Sequence, residues 1–135
     1  MISATTSPLI SSRRNPLVRR LRALASKEGR ENYSLLLLEG THLLEESLRT
    51  HYSPSEIIAT ESWLKHHVKT VNSISKTIPI QQVTTSVLEA ALSTNNPDGV
   101  AALFPLDSLP KSPKTVDFVL ALVVFFICYG FCYDF

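Results

Sequence analysis

Apolar residues recur at Leu17, Val18, Leu21, Leu24 and Ala25, a helical period that gathers them on one face while Arg19 and Arg22 project from the other. Asn15 ahead of Pro16 marks the start, since Asn caps well and a proline at the first helical position forfeits no hydrogen bond. Lys27, Gly29 and Arg30 are expected to close this helix with a basic last turn and a breaking glycine. Leu35 to Leu38 is an apolar run without alternation, which reads as a strand covered on both faces by helices. Thr41 stands where it caps a helix whose apolar stripe is Leu43, Leu44 and Leu48, with Glu45 and Glu46 near the positive end of its dipole. Glu56 to Thr60 predicts a second strand, Glu61 to Val71 a helix, Ile78 to Val83 a third strand and Ser86 to Leu92 a further helix. The turn cluster Ser93 to Gly99 then leads into a fourth strand, Val100 to Phe104.

Strands separated by helices predict an α/β chain: a three-layer α/β/α sandwich around a mostly parallel four-stranded sheet. The expected division is a flexible N-terminus over 1–11, one domain over 12–106, a proline-rich linker over 107–117 and an apolar tail over 118–135. A length of 135 residues, 44% apolar and 19% charged, agrees with a single globular domain and excludes a disordered or rod-like chain.

Net charge changes the picture only when it is divided. The overall +1 hides seven basic residues against one acid in residues 1–30, and six against eleven in the remainder. The positive field is therefore concentrated at the start. Arginines interrupt the first apolar stretch, so no secretory signal is read there, although an arginine-rich, acid-poor start would also suit an organellar transit peptide. The two cysteines, Cys128 and Cys132, are too few for a disulfide framework or a structural zinc site, and a reducing compartment is the default.

Catalytic patterns are missing from the sequence. No Gly-x-Ser-x-Gly elbow occurs, and four glycines leave no glycine-rich phosphate loop. His66 and His67 are neighbours on a helix, pointing about a hundred degrees apart, so they do not chelate together. No catalytic, cofactor-binding or metal-ligating residue is assigned.

Two separated segments resemble a known family. Ser12, Asn15-Pro16, Val18-Arg19, Leu21, Leu24 and Arg30, with Leu37-Leu38-Glu39-Gly40 and Leu43-Leu44-Glu45-Glu46, form the first. Leu92-Ser93-Thr94 and Pro97-Asp98-Gly99-Val100-Ala101 form the second. Both resemble the N-terminal substrate-binding domain of the SpoU (TrmH-like) RNA 2′-O-ribose methyltransferases, over about 12–104. Asp98 departs from the family, where Gln is more usual. The resemblance implies a fold similar to RNA-binding ribosomal proteins, a structured rRNA or tRNA as partner, a cytoplasmic location, and S-adenosylmethionine bound by a following knotted domain. A strand like Asp117-Phe118-Val119-Leu120-Ala121-Leu122 opens that domain in the family, but no cofactor motif follows here, so truncation and inactivity alone are expected, with no cofactor in this chain.

RNA contact is assigned on this basis to Arg13, Arg14, Asn15, Arg19, Arg22 and Arg30, and to Thr94, Asn95 and Asn96 in the later loop. A solvated helix face and an ordinary turn are the competing readings of these groups. Glu39 and Gly40 are assigned to the scaffold first, Glu39 holding a backbone turn or Arg30 and Gly40 allowing a tight corner, and to RNA contact second. The alternative function is a membrane-tethered binding module, because residues 118–133 carry no charge. Sixteen residues span about 24 Å as a helix, short of the hydrocarbon core of about 30 Å. Oligomeric state is left open.

Overall fold

A computed structural model describes residues 7–111; the apolar tail assigned to 118–135, and with it the membrane-tether reading, lies outside the described residues. Helix α1 (Pro16–Ala23) begins as the sequence implies: Asn15 Oδ1 accepts from the Leu17 amide at 2.9 Å, Pro16 occupies the first turn, and Leu17, Val18 and Leu21 are buried. The helix does not run on to Arg30. The chain turns at Leu24, and Ser26 caps a second helix, α2 (Lys27–Tyr33), by accepting from the Gly29 amide at 3.0 Å. Gly29 therefore breaks nothing. It lies buried where α2 crosses the end of α1 so closely that a Cβ there would stand 1.8 Å from the Ala23 carbonyl oxygen. Packing, rather than a need to stop the helix, requires glycine at this position.

The remaining elements are β1 (Leu35–Glu39), α3 (Thr41–Arg49), β2 (Glu56–Thr60), α4 (Glu61–His66), α5 (Val68–Ser73), β3 (Ile80–Val83), α6 (Thr85–Ala91) and β4 (Val100–Pro105), followed by a 3₁₀ turn at Leu106–Ser108. The single helix expected over 61–71 is divided at His67, whose φ of −115° and ψ of 40° leave the helical region.

The sheet is mixed, not mostly parallel. Its order is β1-β4-β2-β3; only β2 and β3 pair in parallel, while β4 runs antiparallel to both β1 and β2. Sixteen residues join β3 to β4, as many as join β1 to β2, so length does not set the direction. The loop after α6 is fastened at the end of the sheet where β2 and β3 finish, and β4 enters from that end in the opposite direction. The edge strand β3 is itself extended by the N-terminal segment. Ile10, placed by the sequence in a flexible start, pairs in parallel with Val83, its amide donating to the Gln82 carbonyl at 3.0 Å.

Three layers are present, because each face of the sheet has its own core. On one face Leu17, Val18, Leu21 and Leu24 meet Val87, Leu88 and Ala91 of α6 over Ile58, Ala101 and Leu103. On the other, Leu44 of α3 and Trp63 of α4 meet Ile57, Ala59, Ala102 and Phe104. Strand β1 divides between them, Leu35 and Leu37 facing the first cluster and Leu36 and Leu38 the second. The unalternating leucine run is thus explained by coverage on both faces, at the half-buried level of an edge strand.

Candidate functional site

The carboxyl ends of β1 and β2 and the start of β4 share one end of the sheet, and the loop after α6 folds across it. Glu39, the last residue of β1, fastens that loop. Its Oε1 accepts from the Ser93 amide at 3.2 Å and the Ser93 hydroxyl at 3.0 Å, and its Oε2 accepts from the Thr94 amide at 3.3 Å and the Thr94 hydroxyl. Of the two partners the sequence offered for Glu39, the turn is the one found; Arg30 lies elsewhere. Gly40 follows with φ of +100° and donates its amide to the Val100 carbonyl at 3.0 Å. That backbone conformation is what turns the strand sharply into α3.

Helix α3 has no side-chain cap of its own at Gly40. Asp98, from the far end of the same loop, supplies one: its Oδ2 accepts from the Thr41 amide at 2.8 Å. Hydrogen bonds from the Thr41 side chain and backbone hold the Asp98 carboxyl below the usual carboxylate range, and the nearby His67 and His42 act in the same direction. The Thr41 hydroxyl in turn accepts from Trp63 Nε1 at 2.8 Å, and the His67 ring stacks on Trp63 with centroids 4.8 Å apart and planes 14° from parallel. Gly99 makes the approach of loop to α4 possible, because a Cβ there would come within 3.0 Å of Thr60 Oγ1 and Trp63 Cβ. Sequence reasoning missed Asp98 as a cap and Trp63 as its support, since partners 57 and 22 residues apart leave no local signature.

Of the three loop residues assigned to RNA contact, Thr94 has committed its hydroxyl to Glu39, whereas the Asn95 and Asn96 side chains are exposed and make no hydrogen bond among the described residues. Asn15 is likewise committed, to the α1 cap.

The arginines separate into free and bound groups. Arg13 and Arg14 sit in the turn closed by the Asn15 amide on the Ser12 carbonyl at 3.0 Å; both are exposed and neither side chain has a partner among the described residues. Arg19 is exposed on α1 in the same state. Arg22 donates its Nε to the Ala90 carbonyl at 2.6 Å, tying α1 to the end of α6 just before the fastened loop. Arg30 donates to the carbonyls of Leu24 and Ala25 at 3.1 and 3.0 Å, satisfying the end of α1. Arg20, left out of the assigned contacts, is ion-paired with Glu56 at 2.5 Å. The cluster read from the sequence as one basic patch therefore combines three free cations, three that organise the fold, and Lys27, which pairs with Glu31 at 3.7 Å on the exposed face of α2.

The histidines do not converge. His66 Nδ1 lies 2.7 Å from the Ser62 carbonyl and His67 Nδ1 3.1 Å from the Trp63 carbonyl, and among the described residues no three metal-ligating side chains meet. No helix among them is long and apolar enough to cross a membrane.

Comparison with known proteins places this geometry. A family model, the MRM3-like substrate binding domain, matches residues 15–102. The chain is 38% identical over 105 residues to an uncharacterised tRNA/rRNA methyltransferase of Synechocystis sp., which covers 77% of this chain and 38% of that protein. Among solved structures, an RNA 2′-O ribose methyltransferase shares the fold with a TM-score of 0.66 at 21% identity, over 82% of this chain and 41% of that one. An rRNA methyltransferase from Sinorhizobium meliloti does so with a TM-score of 0.60 at 20% identity, over 78% of this chain and 38% of that one. The chain thus spans about two-fifths of the length of the relatives it matches.

Proposed function

The chain belongs to the MRM3-like substrate binding domain family, and from that premise we propose that residues 12–106 form the RNA-recognition domain of a SpoU-type rRNA or tRNA 2′-O-ribose methyltransferase. The observation that carries this reading is the exposed trio Arg13, Arg14 and Arg19, which meets no carboxylate among the described residues. Guanidinium groups pair with phosphate oxygens in two-pronged geometry, and three exposed ones without a carboxylate partner are available to an external anion. Arg22 adds charge beside the loop that presents Asn95 and Asn96, whose amides both donate and accept. Phosphates supply affinity in this scheme, and the loop supplies contacts to nucleotide edges.

Methyl transfer from S-adenosylmethionine belongs, in this reading, to the part of the relatives that the matched region does not span. The purified chain is expected to bind RNA without methylating it.

Titration of structured rRNA or tRNA at several salt concentrations tests the proposal. Three phosphate contacts give a log–log slope of about −2 on single strands and nearer −3 on duplex. Replacing Arg13, Arg14 and Arg19 together by Ala is expected to reduce the slope to near zero. Affinity that ignores salt, or a slope the triple variant leaves unchanged, removes the reading.

A further inference from the structure

Between the start of α1, the end of α2 and the sheet residues Glu56 and Gln81 lies an open cleft of about 360 Å³. Binding clefts for small ligands begin at about 300 Å³. Ile10 and Pro16 supply apolar wall, and Tyr33, the last residue of α2, is 48% exposed. Its ring is the large aromatic surface that the fold leaves in water there. Three polar side chains line the remainder. Arg20 bonds Glu56 through Nη2, but its Nε is buried with no acceptor. Gln81 spends its amide nitrogen on the carbonyls of Pro8 and Gln82, at 2.8 and 2.9 Å, which leaves its side-chain oxygen to accept. The turn that carries Arg13 and Arg14 leads directly into the Pro16 wall.

We propose that this cleft receives one unpaired nucleotide of the bound RNA, its base stacked on Tyr33, its edge facing Arg20, Glu56 and Gln81, and its flanking phosphates on Arg13 and Arg14. The proposal rests on the RNA-binding reading and adds to it a site for a single nucleotide. The chemistry selects this ligand. An apolar molecule would leave Glu56 and Gln81 facing carbon, and a bare phosphate would meet the Glu56 carboxylate. A base is flat enough for Tyr33 and carries donors and acceptors along one edge to match the guanidinium, carboxylate and amide oxygen. A base held in a duplex does not reach such a cleft, so the site distinguishes single-stranded from paired RNA.

Fluorescence anisotropy with short labelled single-stranded RNAs, and with the duplex of the same sequence, tests this across a salt series. The single strand is expected to bind more tightly than the duplex. Tyr33→Ala is expected to weaken single-strand binding about tenfold, within the range of one base–aromatic stack, with the salt slope unchanged. Tyr33→Phe keeps the ring and should restore binding. Arg13→Ala with Arg14→Ala should instead lower the slope by about 1.4, at about 0.7 per phosphate contact. Equal or tighter binding of duplex overturns the proposal, as does a folded Tyr33→Ala protein that binds like the parent. Those results leave salt-dependent RNA binding standing, whereas a parent chain that binds no RNA at all removes the function and the cleft together.

Discussion

The loop after α6 and the start of α1 use their charged side chains in opposite ways. At the carboxyl end of β1, Glu39 and Asp98 spend their oxygens on amides and hydroxyls of the same fold, fastening the loop 93–99 and capping α3. At the start of α1, Arg13, Arg14 and Arg19 have no partner among the described residues, whereas Arg20, Arg22, Lys27 and Arg30 are bound. A carboxylate that accepts from backbone amides is an internal fastener. An exposed arginine with no carboxylate in reach contributes nothing to the fold, and the proposed function assigns it to RNA. The difference separates residues that hold the surface in shape from residues the fold leaves free, within a cluster that looks uniform when read as charge alone.

The largest expected effect breaks the scaffold of the arginine side. Gly29→Ala forces a methyl group against the Ala23 carbonyl, and the α1–α2 crossing must open. Chemical denaturation should show a loss of about 3 kcal/mol, the upper range for overpacking. Next comes the fastener of the loop after α6. Glu39→Ala removes the acceptor of four hydrogen bonds, and a loss of about 2 kcal/mol is expected, with faster amide exchange at Ser93 and Thr94. Glu39→Gln keeps the shape and should lose less.

A smaller effect sharpens the comparison through pH. Asp98 has its carboxyl lowered in the fold by Thr41, so its charged form is stabilised when folded. That contribution is present at neutral pH, above the ordinary carboxylate value near about 3.9, and is lost as pH falls through the folded value below it. Asp98→Asn retains an acceptor for Thr41 but no titration. The stability gap between the parent and Asp98→Asn should be widest near neutrality and close in acid. Glu46, beside Arg49, and Glu61, beside Lys65, are lowered as well, so the difference between the two proteins, rather than either curve, isolates Asp98. The smallest effect belongs to the free arginines. Arg13→Ala with Arg14→Ala should change unfolding free energy by less than about 0.5 kcal/mol, because no contact within the fold is lost. A larger loss would mean that these side chains serve the fold after all, and the contrast between the two regions would fail.

Much of this was legible in the residues. Asn15-Pro16 located the start of α1, the leucine run located β1 and its burial on both faces, and Glu39-Gly40 located the corner into α3, because each depends on neighbours within one turn or one strand. The arginines were also legible as a group. Their division was not, since whether Arg22 meets Ala90 or Arg20 meets Glu56 depends on residues 68 and 36 positions away. The same distance hid the Asp98 cap and the cleft formed by Tyr33, Glu56 and Gln81.

Amino-acid order by itself determined the alternation of helices with four strands, the excess of positive charge at the start, and the likeness to an RNA-modifying family, all of which are carried by short-range pattern. Tertiary structure alone decided the direction of β4, the break between α1 and α2, and which arginines remain free. Those outcomes turn on where Glu39 fastens the loop after α6, how closely two backbones approach at Gly29, and which carboxylates arrive beside which cations once the two layers close on the sheet. Such quantities exist only between segments, and no window of sequence contains both partners.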